Sequence, residues 1–407
     1  MFIHVLFFNF YRIVPVERKP SACGDGLDLE KEVREKPWCL SPDELENWYN
    51  DSSENMQHRT EQFATECSSL IESVRISICN STRHMDTLDF TDRVVKGGSF
   101  GKETMVENLS DVDLVVFVNR PELQLITETE NLEKYKSALP KIISHLKYNV
   151  SNEPTMQDGL RFTKHSVNFK LKARERLVEF NLLPTTEENV RHFRHKAGEL
   201  QAFVGPRKIS YYLNGQSLNI QCLILVYFFL ANRNMFESML DVGTDDVGRE
   251  TREFYYASFV EHQVRFVKEQ PSHVKELIRL VKYWASRFLP KYLQKSYPLE
   301  LITIYRWEKA GKPGRRLNKA RGLRSVLEVL TKLDRLRVYW NFMDGVDDNL
   351  NETIIKRLNM ERPIILDPAN PTNNVGDLYQ KNDNKEVIKA AAEKTLQTDL
   401  LSDVSAW

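Results

Sequence analysis

Cysteine is scarce in this 407-residue chain, with five residues: Cys23, Cys39, Cys67, Cys79 and Cys222. The number is odd and no pair has C-x-x-C spacing. That argues against a disulfide framework and a structural zinc site, and fits free thiols in a reducing compartment. Net charge is lacking too, since 57 Lys and Arg balance 57 Asp and Glu. Whole-chain charge therefore selects no partner. Internal repeats and low-complexity tracts are absent. So is any long apolar run: "CLILVYFFLA" at 222–231 is shorter than the roughly 20 residues that span a bilayer. The opening "MFIHVLFFNFY" has no basic n-region and no small-residue cleavage site, so it is a poor signal peptide. The expected location is cytoplasmic, without a membrane anchor.

What is there points to a soluble protein of two or three lobes. Hydrophobic content of 41% and charged content of 28% are ordinary. Charge is unevenly placed. Residues 261–340 hold 19 Lys or Arg against 7 Asp or Glu, a net of +12. Solvated helix faces or a polyanion-binding surface both account for it. Residues 1–40 read as a poorly ordered extension. Residues 41–200 carry mixed α and β signals. "SPDELENWYN" supplies a helix start, with Ser41 to cap, Pro42 in the first turn, and Asp43 and Glu44 at the positive end. A helix is expected over about 54–80. The pattern then gives strand, turn with short helix, strand, a helix over 122–148, and two strands, "HSVNFKLKA" and "RLVEFNLLP", that alternate as a pair would. Residues 201–250 are an atypical insertion or linker. Residues 251–380 are helical, and 381–407 form a tail. In "SHVKELIRLVKYWASRF", Val274, Leu277, Val281, Trp284 and Phe288 make one apolar stripe. Lys275, Arg279 and Lys282 share another face.

The chemistry concentrates in "VVKGGSFGKETMVENLSDVDLVVFV", residues 94–118. It is not a P-loop, because Lys96 stands at the first glycine position and Glu103 follows Gly101-Lys102. It is Gly-Gly-Ser, eleven residues, then Asp-x-Asp. Gly97 and Gly98 let backbone approach a triphosphate closely. Ser99 can bond a phosphate oxygen at a helix start. Asp111 and Asp113, two apart on a strand, point to one face. There they can hold Mg²⁺, which favours carboxylates together with substrate phosphates. These parts fit metal-assisted nucleotidyl transfer. The plain alternative is a strand-edge Asp pair beside an ordinary glycine turn.

The segment, together with "LVEFNLLP", "VKELIRLVKYW", "PLELITIYRWE", "ARGLRSVLEVL" and "RPIILDPANPTNNVG" in this order, resembles the 2′-5′-oligoadenylate synthase family, a branch of the polymerase-β-like nucleotidyltransferases. The likeness covers roughly residues 45–377. It implies a bilobal α+β fold with a mixed-sheet catalytic lobe and a helical C-terminal lobe. It also implies activation by double-stranded RNA and Mg²⁺-dependent polymerisation of ATP into 2′-5′-linked oligoadenylate, in innate antiviral defence. By resemblance, Ser99 is the phosphate-binding serine, Asp111 and Asp113 are metal ligands, and Arg279 and Lys282 contact the donor nucleotide. Ser296 sits near an adenine-contacting glutamine position, and Tyr297 matches the adjoining tyrosine. Lys96 and Lys268 match positions that contact RNA, where backbone phosphates are read without regard to sequence.

One departure matters. The family's third carboxylate lies in a strand reading Val-Glu-Phe-Asp, whereas this chain has "VEFN", so Asn181 occupies the third catalytic position. An amide cannot take a proton from an attacking hydroxyl, and a lost general base typically costs about 10²- to 10⁴-fold in rate. Glu179 lies two residues away, roughly 6.6 Å along a strand. Three readings follow: a weakened oligoadenylate synthase, an inactive RNA-binding pseudoenzyme, or a related cyclic-dinucleotide synthase. Residues 203–233 look inserted relative to the family.

Overall fold

The computed structural model describes residues 28–50, 56–81, 91–106, 112–118, 129–150, 156–163, 166–173, 176–185, 210–213, 216–219, 233–241, 243–314, 318–341 and 346–407. Helices α1 (Leu29–Glu32), α2 (Pro42–Asn50) and α3 (Met56–Ser81) come first. Strand β1 (Thr91–Lys96), the single turn α4 (Gly98–Gly101), β2 (Val112–Val118) and α5 (Thr129–Val150) follow. Then come β3 (Met156–Phe162), β4 (Val167–Ala173) and β5 (Arg176–Thr185). Helix α3 matches the helix expected over about 54–80, and α5 matches the expected 122–148 from Thr129 onward, residues 122–128 lying outside the described ones. Strand β3 is not anticipated from the sequence.

These strands form one mixed sheet in the order β1-β2-β5-β4-β3. Strands β2 and β5 run parallel, and the other pairs are antiparallel. Alternation along β4 and β5 makes a true pair, as the pattern requires. Helices α3 and α5 pack on the sheet. Their Cys67, Ile71, Val74, Ile142 and Leu146 join Val112, Leu114, Val116, Phe169 and Phe180 in one core. A small hairpin, β6 (Ser210–Leu213) and β7 (Gln216–Asn219), lies within the atypical segment.

The second lobe is helical. After α6 (233–241) come α7 (Asp246–Tyr256), α8 (Val260–Lys268), α9 (Ser272–Phe288), α10 (Ser296–Lys309) and α11 (Lys319–Leu330). Then β8 (Arg337–Val338), α12 (Asp348–Arg357), β9 (Ile364–Asp367), β10 (Asn370–Asn374) and α13 (Asn382–Leu396) complete the chain. The α9 stripe of Val274, Leu277, Val281, Trp284 and Phe288 is fully buried. It packs with α10, α11 and α13 in a second core.

The chain does not divide cleanly at the expected boundaries. Residues 381–407, expected as a tail, are helical over 382–396 and bury Ile388, Ala391, Ala392, Leu400 and Leu401 in the helical-lobe core. Trp38, at the end of the expected extension, and Leu45 and Tyr49 of α2 are buried in the same core. Leu350 and Ile354 of α12 belong to the core of the mixed sheet instead. Apolar side chains thus stitch each lobe to segments remote in sequence. Among the described residues no helix is long and apolar enough to cross a membrane.

Candidate active site

The glycine turn runs from the end of β1 into the single turn α4, against β2. Gly97 N–H donates to the Asp113 carbonyl at 2.7 Å, which pins the turn beside β2. Gly98 has φ +52°, and a Cβ there would lie 2.2 Å from Asp113 Oδ2. A Cβ on Gly101 would lie 2.1 Å from the Lys96 carbonyl oxygen. Both positions therefore need glycine for space, and Gly98 needs it for conformation as well. This crowding is against Asp113 and Lys96 themselves; the expectation for Gly97 and Gly98 concerned a triphosphate.

Asp113 is the one position of β2 that is not fully buried. Burial pushes its carboxyl above the ordinary aspartate range, against the Asn181 hydrogen bond and the nearby Lys102, with Glu300 adding to the rise. Its companion Asp111 lies outside the described residues. Across the sheet Asp113 is level with Asn181 on β5, which is level with Asn168 on β4. The three side chains form a row. Asn181 Nδ2 donates to Asp113 Oδ1 at 2.8 Å, and Asn181 Oδ1 accepts from Asn168 Nδ2. Asn168 Oδ1 accepts from Ser166 Oγ at 3.0 Å, and Ser166 Oγ lies 2.7 Å from Thr163 Oγ1. Position 181, which the resemblance makes the place of a third carboxylate, therefore presents a donor to Asp113. Glu179 is two positions off this row, level with Lys170 on β4.

Ser99 is buried and accepts from Lys282 Nζ at 2.6 Å. Lys282 also donates to the Thr104 carbonyl at 2.8 Å and pairs with Glu300 Oε1 at 3.2 Å. Burial lowers its amine to about 8, opposed by Glu300. Lys102 pairs with Glu300 Oε2 at 3.2 Å and lies over the Tyr297 ring at 3.5 Å. Burial opposes ionisation of Glu300, yet Lys102, Lys282 and the Thr104 hydroxyl together hold its carboxyl below the usual range. Thr104 Oγ1 donates to Glu300 Oε1 at 2.6 Å. Tyr297 donates to Asp367 Oδ1 at 2.8 Å, and Gln263 Nε2 donates to Asp367 Oδ2 at 2.5 Å. Burial raises the Asp367 carboxyl, against these hydrogen bonds. One polar network thus joins the glycine turn to α8, α9, α10 and β9. Ser296, the first residue of α10, is half-buried beside Tyr297.

A second contact ties the turn to the basic helices. Glu103, at φ +59°, pairs with Lys275 at 2.7 Å and Lys268 at 3.1 Å. Hydrogen bonding from Lys275 leads the causes that hold its carboxyl low. Arg279 donates to the Glu103 carbonyl at 3.0 Å. Lys275, Arg279 and Lys282, which the helical period puts on one face, all reach this segment. Lys96 is exposed at the end of β1, with Nζ 5.5 Å from the Phe100 ring centroid.

The structure gathers Gly97, Gly98, Ser99, Asp113, Asn181, Arg279, Lys282 and Tyr297 around the glycine turn through direct contacts and shared partners. Sequence reasoning misses Lys102, Thr104, Asn168, Gln263, Glu300 and Asp367. Two of them leave a trace: Glu300 is a lone acid in the apolar run "PLELITI", and Asp367 ends the apolar "IILD". Asn168 and Gln263 sit in ordinary alternation and leave none. Among the described residues no group of three or more His, Cys, Asp or Glu is placed to hold a metal.

Known proteins match both lobes. Residues 81–174 match a nucleotidyltransferase domain model, and 233–406 match the model for 2′-5′-oligoadenylate synthetase 1, domain 2, C-terminus. The 2′-5′-oligoadenylate synthase 1A of Rattus norvegicus is 31% identical over 292 residues, covering 70% of this chain and 71% of that protein. The inactive 2′-5′-oligoadenylate synthase 1B of the same species is 30% identical over 317 residues, covering 74% and 72%. A solved E. coli MS115-1 CdnC:HORMA-deltaN complex has a similar chain at 18% identity and TM-score 0.44, covering 81% of this chain and 82% of that one. With a glycine turn, an aspartate strand and a helical lobe in the order the sequence anticipates, and with relatives at this identity and coverage, the chain belongs to the 2′-5′-oligoadenylate synthase family.

Proposed function

We propose that the protein binds double-stranded RNA and an ATP–Mg²⁺ pair, and that its transfer of adenylyl groups is weakened by Asn181. The observation that carries this reading is the hydrogen bond from Asn181 Nδ2 to Asp113 Oδ1. The chemistry of the side chains supports metal and nucleotide binding. Asp113, with Asp111, supplies hard oxygens suited to one Mg²⁺ shared with substrate phosphates. An amide N–H aimed at Asp113 does not suit a second ion at position 181. When bound, the metal would neutralise charge on the triphosphate.

The protein's own groups do the rest. Ser99 Oγ accepts from Lys282, so its single hydrogen remains to donate to a phosphate oxygen. Lys282 fixes that hydroxyl through a buried contact. Gly97 and Gly98 keep the turn low enough for phosphate to approach. Asn181 can hold Asp113 in place but takes no proton, which removes a general base worth about 10² to 10⁴ in rate. Exposed Lys96 and Lys268 suit RNA phosphates, and the basic residues of α9 extend the same sign of charge.

A catalytically inactive RNA-binding protein is the second reading. The same Asn181–Asp113 bond favours it, and a relative named as inactive is among the proteins similar to this chain. The test is incubation with labelled ATP, Mg²⁺ and long double-stranded RNA, comparing wild type with Asp113→Ala. Slow RNA-dependent oligomer formation that Asp113→Ala abolishes supports the first reading. Identical background in both supports the second. RNA binding that does not weaken with added salt contradicts the proposed phosphate contacts.

A further inference from the structure

Helix α10 has a second end. Arg306 lies nine residues past Tyr297, about 13 Å along the axis and roughly half a revolution around it. There, away from the glycine turn, α10, α11 and residues 332–337 line an open cleft of about 330 Å³. Arg306, Lys332, Arg335 and Arg337 line it, with Glu328 as its one acid. The acid is engaged by Arg324 at 3.0 Å, and Arg337 is paired with Glu352 outside the cleft. No ion pair is formed by Arg306, Lys332 or Arg335 among the described residues. The buried Nε atoms of Arg306 and Arg337 both lack a hydrogen-bond partner among those residues. A solvated basic face would leave guanidinium groups in water. Here two buried donors stand beside the same concavity, where an acceptor is due.

We propose that this cleft binds a small phosphorylated anion. Guanidinium groups match phosphate oxygens with paired donors. The volume falls in the range of small-molecule sites. Tyr305, Val329 and Leu336 supply an apolar wall, so an organic phosphate of nucleotide size fits as well as an inorganic one. Nucleic acid is disfavoured as the occupant. A duplex offers phosphates along an extended groove, whereas this cluster is confined to one pocket. The site is independent of the glycine turn, and its occupancy does not rest on catalytic activity.

The test is calorimetric titration of the full chain with inorganic tripolyphosphate, in wild type and in Lys332→Glu/Arg335→Glu. Both side chains are exposed, so the double variant should fold, as unfolding curves would verify. Arg306→Gln serves as an independent variant. Wild type should bind one more equivalent than the double variant, or bind the weaker equivalent at least about tenfold more tightly. Competition by ATP shows that an organic phosphate enters the cleft, and failure of ATP to compete restricts it to inorganic polyphosphate. Identical isotherms for wild type and both variants would overturn the proposal. Displacement of that equivalent by a short RNA duplex would also overturn it, by making the cleft part of a nucleic-acid surface.

Discussion

Glu300→Gln removes the single negative charge between two buried lysines while keeping the side chain's shape. In the wild type Lys102 and Lys282 both lie 3.2 Å from its carboxylate, and Glu300 itself is 0% exposed. The variant leaves two like charges in a low-dielectric pocket with one neutral neighbour. Breaking a buried pair in this way costs about 3–5 kcal/mol. For a cooperative unit of the helical lobe's size, each kcal/mol moves Tm by about 2–4 °C, so the fall should be about 6–20 °C. The pH dependence carries a sign. Folding already lowers the Lys282 amine to about 8, below the ordinary lysine range. Holding that lysine charged is therefore a penalty fully present below about pH 8, which fades as pH rises toward the ordinary value. Loss of Glu300 enlarges the penalty, so the Tm deficit should be large at pH 7 and smaller at pH 9. Differential scanning calorimetry at both values measures it. A fall under about 3 °C at pH 7, or a deficit that grows with pH, would refute the idea that Glu300 holds two charged lysines.

Other variants probe the neighbouring contacts. Gly98→Ala places a methyl 2.2 Å from Asp113 Oδ2 at φ +52°, so ATP binding followed by fluorescence should weaken at least tenfold while the melting curve stays cooperative. Glu103→Gly relieves a left-handed φ of +59°, worth about 1–2 kcal/mol. It also frees Lys268 and Lys275 from their carboxylate, so RNA affinity at fixed salt should rise several-fold. Lys96→Gln should lower RNA affinity equally for unrelated duplex sequences and reduce the salt slope by about one; a sequence-dependent loss would point to base contacts.

Strand β5 shows what the sequence makes legible. Its alternation marks a paired strand and the resemblance singles out Asn181, while its place level with Asp113 is seen only in the parallel register. The glycine turn is equally readable, because close backbone approach leaves no room for a Cβ. The amide row from Asn168 is different. It depends on which residue of a neighbouring strand falls opposite, and register is a tertiary property. The Lys102–Glu300–Lys282 cluster was hidden for a similar reason. Its members come from three elements, and only the lone acid in an apolar helix hints at it. The expected tail failed by length scale: residues 382–396 carry an ordinary amphipathic pattern, but the face of α11 that receives them is fixed by the packing of α9 and α10.

Asn181→Asp is the most direct measurement. Asn168 Nδ2 already donates to position 181, so a carboxylate there meets a waiting hydrogen bond, and no strand need move. RNA-stimulated conversion of labelled ATP to oligomer should rise about 10²- to 10⁴-fold over wild type, with RNA affinity unchanged. Equal rates in the two proteins would contradict the claim that residue 181 sets the activity of this site.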